Sequence, residues 1–76
     1  MQLKVPSSGK VLVRKISLNK FMGPAGRWVK TIDKAFTFPN PLNAINTCLA
    51  RRLKDVELIL HFGGNAPDFR IPLDAV

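Results

Sequence analysis

The chain has 76 residues, of which 46% are hydrophobic and 22% charged, with a formal net charge of +7, one cysteine and one histidine. This length predicts a single domain, and the composition is too apolar for a disordered chain. A lone Cys48 excludes an internal disulfide framework and fits a reducing, cytoplasmic setting.

The placement of the charge says more than its size. Residues 1–32 hold Lys4, Lys10, Arg14, Lys15, Lys20, Arg27 and Lys30 and no acid; the first carboxylate is Asp33. From residue 33 onward, Lys34, Arg51, Arg52, Lys54 and Arg70 balance Asp33, Asp55, Glu57, Asp68 and Asp74. All of the excess positive charge therefore lies in residues 1–32, which points to an anionic partner. The plain alternative is a solvated basic face that keeps a small protein soluble. No apolar run approaches the ~18 residues of a membrane span. The acid-free leader has the charge bias of a transit peptide, but it lacks helical periodicity and carries Pro6, Gly9, Gly23, Pro24 and Gly26.

Leu3 and Val5 alternate with polar residues and predict a short edge strand, followed by a turn at Pro6-Ser7-Ser8-Gly9. Residues 10–19 read as one strand, with Leu12, Ile16 and Leu18 on one face and a bulge near Arg14-Lys15. Met22 to Gly26 supplies the next turn, and Arg27 to Ile32 the returning strand, with Trp28, Lys30 and Ile32 pointing one way. Phe36-Thr37-Phe38 reads as a short extended piece.

The helix signal follows. Asn40 is a good N-cap, and Pro41 suits the first helical position because its missing N–H has no partner there. Leu42, Ile45, Leu49, Leu53 and Val56 fall at helical spacing, flanked by Ala44 and Cys48, which predicts a helix over about 41–54. Arg51, Arg52 and Lys54 then complement the negative end of its dipole. Val56 to Phe62 alternates as a strand, residues 63–68 form a turn, and Phe69, Ile71 and Leu73 alternate in a last strand. Pro72 cannot donate to a ladder, which places that strand at an edge. The expected architecture is α+β, β(β)βαββ, with one helix on one face of a four- to five-stranded, mostly antiparallel sheet.

Chemistry-bearing constellations are sparse. Ser8-Gly9-Lys10-Val11 lacks the first glycine and the final Ser or Thr of a phosphate-binding loop. Cys48 falls mid-helix rather than in a cationic setting that would make a thiolate, and one Cys with one His cannot close a tetrahedral zinc shell. No two carboxylates are spaced for acid–base work. The expectation is a non-enzymatic module without metal, cofactor or membrane span. Its best candidate site is the basic hairpin: Lys10, Arg14, Lys15, Lys20, Arg27 and Lys30 to contact nucleic-acid phosphates, DNA or RNA, with Trp28 to stack on a base if it is exposed. The alternative is a protein-interaction or homodimerisation module that docks on an acidic partner or through the Leu3–Val5 and Phe69–Leu73 edges.

Overall fold

A computed structural model describes residues 9–63 and 67–73. The predicted Leu3–Val5 strand, part of the 63–68 turn and Asp74 lie outside the described residues. One helix packs against a five-stranded antiparallel sheet, as the α+β reading expects. The strands are β1 (Lys10–Lys15), β2 (Lys20–Met22), β3 (Trp28–Val29), β4 (Val56–His61) and β5 (Phe69–Pro72), in spatial order β3-β2-β1-β4-β5. Helix α1 spans Pro41–Ala50. β5 is an edge strand, where a proline is tolerated.

The predicted strand over 10–19 is two strands joined by a four-residue turn. Lys15 pairs with Lys20 across it, and Asn19 takes a left-handed φ of 52°. That conformation suits Asn, and the turn is held from outside. Ile16 N–H donates to Asp55 O at 2.8 Å, and Ser17 N–H donates to Asp55 Oδ2 at 2.8 Å. Ile16 and Leu18 therefore sit exposed at a hairpin tip instead of lining a sheet face. β3 is likewise shorter than expected: the chain leaves the ladder after Val29 and makes a 3-10 turn over Ile32–Lys34.

β2 departs from β1 at Gly23, and the 36–38 segment takes over the side of β1 that it leaves. Phe38 N–H donates to Val11 O at 2.8 Å, and Phe36 N–H donates to Met22 O at 2.9 Å. This crossing delivers the chain to Asn40, whose side chain accepts from Asn43 N–H and starts α1.

The helix ends earlier and is turned differently from the sequence expectation. It stops at Ala50, and Arg52 has a φ of 53°, so Leu53 and Lys54 lie beyond it. The buried positions are Ala44 and Cys48, whereas Leu42 and Leu49 are 65% and 54% exposed. Small residues let the helix axis come close to β1 and β4, where Val13, Val56 and Leu58 fill the space together with Met22 and Phe38. The larger leucines are displaced to the flank. Substituting Ala44→Leu should therefore destabilise the fold by about 1–3 kcal/mol through overpacking. Leu42→Ala should change stability by no more than about 0.5 kcal/mol. Urea denaturation of both variants checks this, and the reverse ranking would contradict the packing.

Candidate nucleic-acid interface

Cross-strand partners share a sheet face, so the ladder register sorts the basic residues. The face under α1 carries Val11, Val13 and Lys15 of β1, Val56, Leu58 and Leu60 of β4, Lys20 and Met22 of β2, and Trp28 of β3. The opposite face carries Lys10, Leu12, Arg14, Glu57, Ile59, His61, Phe21 and Val29. The N-terminal cations are thus split between two faces.

Lys15, Lys20 and Trp28 come together on the helix side. Lys15 lies opposite Lys20, and Lys30 directly follows β3, whose Val29 pairs with Phe21. Lys15 Nζ stands 5.6 Å from the Trp28 ring centroid, within cation–π range. Trp28 is half-buried and packs against the core cluster. It is neither a free stacking platform nor fully core: the ammonium of Lys15 occupies part of its π face.

Arg14 and Lys10 do not join them. The Arg14 guanidinium donates to Glu57 Oε2 at 2.5 Å and to Asn19 Oδ1 at 2.5 Å and 3.1 Å, so it ties the turn to β4. Glu57 is buried, which makes this pair structural and leaves Arg14 little charge to offer a ligand. Lys10 pairs with His61 at the far end of the same face. Arg27 is exposed in the β2–β3 turn, where its carbonyl accepts from Gly23 N–H.

Two cations outside the predicted set lie in the segment that leads to the hairpin tip. Arg52 and Lys54 lie in the segment that runs from α1 to Asp55, and Asp55 is hydrogen-bonded to the hairpin tip just after Lys15. They were legible only as helix-dipole partners, because nothing in the chain order says that the helix exit meets the β1–β2 turn. Among the described residues Arg14–Glu57 is an ion pair and His61 Nδ1 lies 2.8 Å from Asp68 Oδ1; Lys15, Lys20, Lys30, Arg52 and Lys54 have no carboxylate at ion-pair distance.

Cys48 is buried, and burial pushes its thiol up, away from the thiolate. Among the described residues no three His, Cys, Asp or Glu gather to hold a metal ion, and no helix is long and apolar enough to cross a membrane. No protein-family model, curated protein or solved structure matches this chain.

Hydrogen bonds from Ser17, side chain first and then backbone, hold the Asp55 carboxyl below the ordinary aspartate value of 3.8. A depressed carboxylate contributes stability that is present above its unfolded pKa and is lost as pH falls through the folded value. Acidification below about pH 4 should therefore loosen the Lys15–Lys20 turn. Asp55→Asn keeps the side-chain size and tolerates the left-handed φ of 61° at this position. The variant should lack this acid-sensitive step. Amide exchange of Ser17 against pH measures it, and an identical profile in both proteins would exclude the role.

Proposed function

We propose that this protein is a non-enzymatic module that binds nucleic acid through phosphate contacts along the Lys15–Lys20–Lys30 row, with Arg52 and Lys54 extending it. The supporting observation is the row itself. Like charges directly opposite across a ladder destabilise a sheet, yet Lys15 faces Lys20; Asp55 lies close enough to Lys15 to feel its charge, but neither lysine has a described carboxylate at ion-pair distance. An anionic partner relieves that repulsion on binding. Trp28 contributes by holding Lys15, and a base would stack on it only after displacing that ammonium. Such contacts carry little sequence specificity.

Three phosphate contacts on a single strand correspond to a slope of about −2 for log K against log salt. Fluorescence anisotropy with a labelled oligonucleotide should give that slope or a steeper one. The triple variant Lys15→Gln, Lys20→Gln, Lys30→Gln should make it shallower by about 2. Absence of low-salt binding to DNA or RNA at about 10–100 μM protein, the weak end of non-specific affinities, would end this reading.

A second reading, self-association, is favoured by one observation. Among the described residues β5 is an edge strand, and its Phe69 and Ile71 are 59% and 45% exposed on the helix side. Leu73 N–H donates inward to Val56 O, so by alternation Arg70 N–H faces that edge. Pairing β5 with a second copy around Ile71 would bring apolar side chains together and satisfy Arg70 N–H with the carbonyl of Pro72. Light scattering should then report a dimer that Ile71→Lys converts to monomer. A monomer at all concentrations removes this reading.

A further inference from the structure

A cleft of about 230 Å³ lies between the β2–β3 turn, the 36–38 segment and α1. Its floor is Met22, Phe36 and Phe38, and one wall is the backbone of the turn from Gly23 to Gly26. Asn43, Thr47 and Arg51, each four residues from the next, form a single polar stripe along the facing side of the helix. Pockets for drug-sized ligands run from about 300 to 1,000 Å³, so this cleft suits one small planar group.

Each wall has recognition chemistry that the fold leaves unused. Phe36 is 42% exposed, and its ring is fixed edge-to-face on Phe38 at 4.8 Å and 83°. Its open face is therefore held ready for stacking. The Arg51 guanidinium, the free end of an exposed side chain, lies beside Gly26, which has a φ of 77°. The left-handed backbone favours glycine at that position, and the guanidinium is free to turn toward a ligand. Arg51 has no carboxylate partner among the described residues. Asn43 uses its backbone N–H on the Asn40 cap and its carbonyl on Thr47 Oγ1, so its amide and the lone pairs of Thr47 Oγ1 are available to a ligand.

We propose that the cleft receives one unstacked nucleotide: the base lies on Phe36, Asn43 and Thr47 hydrogen-bond its edge, and Arg51 holds its phosphate. An aromatic surface, a donor–acceptor pair and a bidentate cation within one small cleft match those three parts of a nucleotide. The choice of a nucleotide over another planar anion rests on the nucleic-acid reading above.

The test is a ¹H–¹⁵N NMR titration of the full chain with AMP and UMP, with inorganic phosphate and benzoate as comparison probes. Shifts should map to the amides of Ala25, Gly26, Thr47 and Arg51 and to the Asn43 side chain. Arg51→Gln should weaken AMP about tenfold, the scale of one charge-assisted contact, while its spectrum stays dispersed because Arg51 is exposed. The triple lysine variant should retain these shifts. Shifts confined to Lys15, Lys20 and Lys30, no shifts at millimolar AMP, or an Arg51→Gln affinity equal to the native one would overturn the site. Benzoate or phosphate binding as tightly as AMP would overturn its assignment to a nucleotide. Cleft shifts without oligonucleotide binding would refute the lysine row alone, and oligonucleotide binding without cleft shifts would refute the cleft alone.

Discussion

The antiparallel ladder between β1 and β4 is the constraint on which everything else depends. It runs in register from Lys10 opposite His61 to Lys15 opposite Val56. β1 also pairs with β2, so it is an interior strand, and Leu12 and Val13 are both fully buried although they point to opposite faces. Interior strands with two covered faces read as apolar runs rather than as alternation. Val11-Leu12-Val13 is such a run, and its apparent break in pattern reflects double burial, not a bulge.

That register also partitions the charge. Side chains alternate along a strand, so Arg14 and Lys15, adjacent in the chain, must point to opposite faces. Arg14 meets Glu57 in an ion pair, whereas Lys15 meets Lys20 and Trp28 and has no carboxylate at ion-pair distance. A one-residue slip of β1 against β4 would exchange these roles and send Val13 out of the core. Burial of Val13 therefore fixes the electrostatics of the lysine row.

Local signals made the helix start, the turn around Gly23 to Gly26, the β4 alternation and the edge position of Pro72 legible in the residues. The helical stripe was legible as a period but misleading as a direction. Counting large apolar residues pointed to Leu42, Ile45 and Leu49, while the sheet accepts Ala44 and Cys48 because close approach of helix and strands favours small side chains. The turn over 16–19 reads as part of a strand in the sequence, since the hydrogen bonds that hold it run from Ile16 and Ser17 to Asp55, far along the chain.

From composition and order alone follow the α+β class, the acid-free residues 1–32, the absence of a disulfide framework and the succession of elements. The tertiary structure decided which cations share a wall, which one is cancelled, that Asp55 at the helix exit ties down the β1–β2 turn, and that Asn43, Thr47 and Arg51 face a glycine turn. The reason is geometric. Strand and helix periods say which residues travel together, but the face they take is set by long-range register and by how closely the layers approach, and neither is encoded locally.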